Sequence, residues 1–211
     1  NYLENAPDWL PEWVGRVDLL KQLTEDYNDP TCRVVALVGF GGEGKTSLAR
    51  RWVAEILGDI PASQSSPKPN GVFWWSFYEQ RSSDEFFASA LEFVAGKEIG
   101  TFAQSAAARA QIIAALLGER HYLFVLDGFE VMQEEDGDKY GLLRSTDLRN
   151  FLQLFTAPDH ASFCLLASRA PVLDLMHFTT FRQRDVNRLS LADGRALLHE
   201  QGVVGIDTDL D

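Results

Sequence analysis

The chain has 211 residues, of which 45% are hydrophobic, 24% charged and 11% aromatic, so it can bury a core without disulfide staples and is too apolar for wholesale disorder. A net charge of −12 opposes a phosphate backbone, so direct nucleic-acid binding is not expected, and no apolar run approaches the roughly 18 residues of a membrane span. No basic-then-apolar segment opens the sequence, and the expected location is cytoplasmic.

In chain order, Gly15 to Tyr27 carries Val17, Leu20 and Leu23 at helical spacing and stops at Asn28-Asp29-Pro30, which predicts a short amphipathic helix. Arg33 to Gly39 is a continuous β-branched and apolar run, the pattern of a strand buried on both faces. From Lys45 the pattern turns helical, with Leu48, Trp52 and Ile56 on one stripe and Gly58 as the stop. Pro61 to Asn70 is a proline- and serine-rich loop, and Val72 to Tyr78 is an aromatic strand. Asp84 is the expected cap of a helix carrying Phe87, Leu91 and Val94, and a further helix from about Gln104 carries Ile112, Ile113, Leu116 and Leu117. Tyr122 to Leu126 is a third strand ending in Asp127-Gly128. After the acidic turn Glu134 to Asp138, a helix with Leu148, Phe151, Leu152 and Phe155 leads to a fourth strand, Ser162 to Ala167. Val186 to Leu189 is the expected fifth strand, and Ser190 with Asp193 resembles a capping box that opens a last helix. Strands alternating with helices predict an α/β fold with a parallel sheet. Gly202 to Asp211 carries weak signals, and the chain is expected to be part of a larger protein.

The most informative stretch is Gly39-Phe-Gly-Gly-Glu-Gly-Lys-Thr46, a G-x-x-x-x-G-K-[ST] pattern that follows a predicted strand and opens a predicted helix. Gly41, Gly42 and Gly44 let backbone N–H groups converge on phosphate oxygens without intervening Cβ atoms. Lys45 supplies positive charge for the β- and γ-phosphates, Thr46 offers its hydroxyl to Mg²⁺, and the helix N-terminus adds a favourable field. Glu43 and Ser47, within and just after the loop, complete the expected nucleotide contacts.

Asp127 stands where a buried strand emerges, a position suited to holding Mg²⁺, and Glu130 lies three residues on, close enough to orient or deprotonate an attacking water if the loop turns it inward. A strand ending in Asp-Gly is also a common turn. Arg169, after the fourth strand, is either a group that reaches the terminal phosphate or an exposed arginine paired with a nearby acid. Phe73 to Tyr78 holds five aromatics in six positions, which core packing on both sheet faces mostly explains; Tyr78 and Phe77 are the ones that could emerge at the ligand edge. Cys32 and Cys164 suit buried reduced thiols, and the four histidines form no zinc spacing.

These motifs resemble the STAND class of P-loop NTPases, which includes the NACHT and NB-ARC domains. Trp13-Val-Gly-Arg16 is similar to the family's hydrophobic-Gly-Arg motif, Gly39 to Thr46 to its phosphate loop, Leu126-Asp-Gly-Phe-Glu130 to its acidic motif, and Ala167-Ser-Arg169 to its sensor arginine. The resemblance implies a five-stranded sheet in the order 5-1-4-3-2. It also implies that backbone around Val14, Gly15 and Arg16 borders adenine, and that Arg169 senses the γ-phosphate. Leu189 to Leu198 resembles the start of the helical subdomain that follows, which divides the chain into 1–189 and 190–211. The family's winged helix, amino-terminal effector and carboxy-terminal repeat sensor are not visible in this sequence.

The expected function is therefore an ATP- and ADP-binding regulatory switch with slow Mg²⁺-dependent hydrolysis, whose partners are other domains of a larger protein and other copies of itself in a nucleotide-dependent assembly. Two alternatives are a small-molecule P-loop kinase and a non-hydrolysing ADP-binding interaction module.

Overall fold

A computed structural model describes residues 1–8, 13–62, 64–96 and 105–200, with the side chain of Glu200 excepted. Five parallel strands, β1 Val34–Val38, β2 Gly71–Ser76, β3 Tyr122–Asp127, β4 Phe163–Ser168 and β5 Phe181–Asp185, form one sheet in the order β2-β3-β4-β1-β5. This is the order 5-1-4-3-2 read from the other edge. The helices are α1 Val17–Asn28, α2 Lys45–Leu57, α3 Ser83–Ala95, α4 Ala106–Leu117, α5 Thr146–Phe155 and α6 Leu191–Glu200.

The period of two in the apolar strands divides the core into two clusters. Val34, Ala36, Phe73, Trp75, Phe124, Leu126 and Leu166 pack under α3, α4 and α5, whereas Val35, Leu37, Trp74, Val125 and Leu165 pack under α1 and α2. Strands covered on both faces have no polar side to show, which is why β1 to β4 read as continuous apolar runs. Both cysteines are free and buried, and burial pushes the Cys32 thiol up to about 12. Tyr2 extends the sheet beyond β2, taking the Trp74 N–H on its carbonyl and donating its own N–H to Val72 O, each at 2.8 Å.

Three sequence expectations are corrected, and one alternative is decided. The fifth strand is Phe181–Asp185, not Val186 to Leu189. It is an edge strand that is polar from Arg182 to Asp185, and its Arg182 and Arg184 both reach the buried Asp26 of α1, so its identity rests on ion pairs instead of apolar content. Val17 is 66% exposed, and α1 buries Leu20, Leu23, Thr24, Asp26 and Tyr27 instead. The cap of α3 is Ser82, whose hydroxyl accepts from the Glu85 N–H, while Asp84 lies in the first turn and pairs with Arg109 at 2.8 Å. Phe77 does not emerge: it is fully buried against Trp75, Phe86 and Phe129, leaving Tyr78 alone at the ligand edge. The expected helix start at Gln104 and the segment Gly202 to Asp211 lie outside the described residues; the helix is described from Ala106. At the last helix the Ser190 hydroxyl accepts from the Asp193 N–H at 3.1 Å and donates to Asp193 Oδ2 at 2.8 Å, a side-chain variant of the capping box. Among the described residues no helix is long and apolar enough to cross a membrane, and no cluster of three or more His, Cys, Asp or Glu residues is placed to hold a metal ion by itself.

Candidate functional site

The phosphate loop leaves β1 and enters α2 at the carboxyl edge of the sheet, where open parallel sheets leave a crevice. Two glycines make its path possible: Gly42 and Gly44 have φ of 81° and 75°, and a Cβ on either would project into open space, so the loop surface there is bare backbone. Gly39 has a different reason to be glycine. A Cβ there would run into the Val186 carbonyl oxygen and lie 2.6 Å from Glu43 Oε2, so this residue forms the packed base of the loop and does not line the groove. Gly15 is similar, with φ 74° and a Cβ position 2.8 Å from Asp193 Cγ.

Two adjoining cavities share Gly41, Gly42, Gly44 and Ser47. One, of about 340 Å³, is polar and gathers Lys45, Thr46, Tyr78, Asp127, Glu130 and Arg169. The other, of about 380 Å³, is walled by Trp13, Val14, Leu189 and Leu197, with Arg16, Glu43 and Arg188 at its rim. An apolar cleft joined to a polar cleft through a glycine loop matches a flat heterocycle joined to phosphates.

Within the polar cleft the charged groups are turned on the protein's own atoms. Lys45 Nζ donates to Gly39 O and Phe40 O, both at 2.8 Å, and no carboxylate among the described residues lies within ion-pair distance of it. Burial lowers its pKa, with Glu130 opposing. Thr46 Oγ1 donates to Asp127 Oδ1 at 2.9 Å. Asp127 is buried, and desolvation raises its pKa against the hydrogen bonds from Thr46 and Gly128. Arg169 Nε meets Glu130 Oε1 at 2.8 Å and its backbone N–H donates to Oε2 at 3.3 Å. The Tyr78 hydroxyl also donates to Glu130 Oε1. Of the two sequence readings of Arg169, the exposed arginine paired with an acid describes this geometry, and the acid is Glu130. At the rim of the apolar cleft, Arg16 Nη2 donates to Asn187 O at 2.9 Å, while the buried Nη1 has no partner.

The residues fit a magnesium nucleotide on three observations. Lys45 is a buried cation whose hydrogen-bond partners among the described residues are neutral carbonyls. Arg16 keeps an orphaned donor at the cavity. Thr46 and Asp127 set a hydroxyl and a desolvated carboxylate side by side, the hard oxygen pair that Mg²⁺ takes with phosphate oxygens. The sequence-derived set Val14, Arg16, Gly41, Gly42, Glu43, Gly44, Lys45, Thr46, Ser47, Asp127, Glu130 and Arg169 lines the two cavities, while Gly15 and Gly39 stand behind them. Arg188, Leu197 and Gly128 were not foreseen. Arg188 lies outside any motif, Leu197 lies in the stretch similar to the start of the helical subdomain and not in a nucleotide motif, and Gly128, at φ 66°, is glycine because a Cβ would lie 2.6 Å from the Tyr78 ring.

The parallel 2-3-4-1-5 sheet with a phosphate loop after β1 defines a P-loop NTPase fold. Solved structures agree: the Orc1 protein of Aeropyrum pernix, determined in complex with DNA, matches 94% of this chain and 51% of its own at 16% identity and TM-score 0.60. The Walker-type ATPase PABY2304 of Pyrococcus abyssi matches 98% and 64% at 10% identity and TM-score 0.56. These likenesses show the fold alone. The NB-ARC domain family matches residues 16–169, and the chain belongs to that family. An uncharacterised WD repeat-containing protein of Nostoc sp. is 26% identical over 212 residues, covering 97% of this chain, which spans only 16% of that relative's length.

Proposed function

We propose that this chain is the ATP- and ADP-binding switch of a larger cytoplasmic multidomain protein and a slow, Mg²⁺-dependent ATPase. The observation that supports it most is Lys45, a buried ammonium beside a bare glycine loop, bonded to the Gly39 and Phe40 carbonyls and without an ion-paired carboxylate among the described residues. In this reading Lys45 leaves the Gly39 and Phe40 carbonyls for the β- and γ-phosphates, and Gly41, Gly42, Glu43, Gly44 and Ser47 line the phosphate path. Trp13, Val14, Leu189 and Leu197 cover the adenine, with Arg16 beside them. Thr46 and Asp127 hold Mg²⁺, which when bound neutralises phosphate charge. Glu130 accepts a proton from the attacking water, and Arg169 stabilises the terminal phosphate. Turnover is slow because Arg169 must first release Glu130, and because no second arginine reaches the polar cleft among the described residues.

Residues 190–211 begin a helical subdomain after the nucleotide domain 1–189. Effector and repeat-sensor domains of the full protein are the partners, and ATP favours self-assembly.

Calorimetric titration of ADP and of Mg²⁺-ATP tests the site. Both should bind, and Lys45→Ala should weaken each by about a hundredfold while the fold is retained. Glu130→Gln should keep Mg²⁺-ATP binding and lose turnover by about a hundredfold or more. Normal hydrolysis by Glu130→Gln would remove Glu130 from its role.

A further inference from the structure

Tyr78 belongs to none of the motifs that define the site, yet it is built into its centre. Phe77, fully buried beside it, is held among Trp75, Phe86 and Phe129, and its N–H donates to Asp127 O at 2.9 Å. The backbone that carries Tyr78 is thus tied to the end of β3. Gly128 leaves the space its ring occupies, since a Cβ there would lie 2.6 Å from Tyr78 Cδ2. The ring faces Arg169, whose Cζ is 6.0 Å from the ring centroid, and the hydroxyl donates to Glu130 Oε1. Burial and Glu130 together push the phenol up to about 12, so it remains a donor throughout the physiological range.

Beside the Arg169 backbone N–H on Oε2, Glu130 therefore has two side-chain partners of different kinds on Oε1. Arg169 is 56% exposed, a charge on a long stem that can swing to an anion in the cleft, whereas the Tyr78 hydroxyl sits on a ring packed against Gly128. The geometry points to Tyr78 as a positioning residue for hydrolysis: when a terminal phosphate draws the Arg169 guanidinium away, the Tyr78 hydroxyl is the side-chain donor that stays on Oε1, and with the Arg169 backbone N–H on Oε2 it keeps the Glu130 carboxylate aimed into the cleft. The inference rests on the ATPase reading above. In the step, water oxygen bonds to the terminal phosphorus, and the bridging P–O bond breaks with its electron pair leaving on the diphosphate. A water proton passes to Glu130 Oε2, the oxygen that Tyr78 does not hold.

Tyr78→Phe keeps the ring, its packing and its contact with Arg169, and removes only the hydroxyl. Single-turnover hydrolysis of Mg²⁺-ATP should slow about tenfold, while ADP affinity, KM for Mg²⁺-ATP and the melting midpoint stay within error of the unaltered chain. In a Glu130→Gln background the same substitution should cost nothing further. Turnover at the unaltered rate in Tyr78→Phe overturns this role and leaves the ATPase reading standing, as does a tenfold loss that persists in full beside Glu130→Gln. Absence of turnover from the unaltered chain overturns both.

Discussion

At Asp127 two demands meet. The residue closes a strand of buried apolar and aromatic positions, and its desolvated carboxylate accepts hydrogen bonds from a hydroxyl and a backbone N–H. Burying a carboxylate without a cation partner is costly, which makes this oxygen a natural ligand for a divalent ion and a poor choice for structure alone. Asp127→Asn should leave ADP binding in chelator unchanged and weaken the Mg²⁺ dependence of ATP binding at least tenfold, a loss that even outer-shell metal partners produce. Calorimetry across a Mg²⁺ series reads this, and an unchanged response would move the metal to another ligand. Lys45 shows the same logic with opposite sign, since among the described residues its ammonium bonds to neutral oxygens.

At the scale of elements, β5 depends on charge where the other strands depend on apolar area. Arg184 grips Asp26 with Nε at 2.8 Å and Nη2 at 2.7 Å, and Arg182 Nη1 reaches the same carboxylate at 2.6 Å. Asp26 is 1% exposed, so this is a buried acid shared by two half-exposed arginines, with Arg182 also bonded to Asp29. Removing one partner of such a set leaves charge desolvated, at a cost of about 3 kcal/mol. Asp26→Asn should therefore lower the melting midpoint by roughly 6–12 °C for a domain of this size. A shift of under about 2 °C would mean that β5 is held by its ladder to β1 alone. The same alternation of Arg182 and Arg184 places both on the α1 side of the sheet, which settles the register of a strand with little apolar content.

Across the whole molecule, the groove is assembled from distant parts of the chain. Trp13 and Val14 precede α1, the glycine loop joins β1 to α2, and Leu189 and Leu197 flank the start of α6 and its second turn. A nucleotide in the apolar cleft would bridge α6 to the sheet domain, so binding should stabilise both together. At about a hundred times its Kd, ADP should contribute roughly 2.7 kcal/mol and raise the melting midpoint by roughly 5–10 °C. Hydrogen exchange over 191–199 should slow at the same time. A melting shift without protection there would place the base away from Leu197, and Lys45→Ala should show neither effect.

Features with local signals were legible in the sequence. Val34 to Val38, the glycine loop and α2 are contiguous, so strand pattern, turn chemistry and helix stripe appear side by side, and Asp127 is marked by the apolar run it ends. The pairing of Glu130 with Arg169 and Tyr78, the share of Arg188 and Leu197 in the groove, and β5 itself became visible in the folded chain. Apolar periodicity is written along the chain because burial acts on each residue by its own side chain. A polar strand held by Asp26, more than 150 positions away, and a carboxylate gripped from two other strand ends leave no local trace, because ion pairs and hydrogen bonds depend on where the partner is folded and not on what stands next in line.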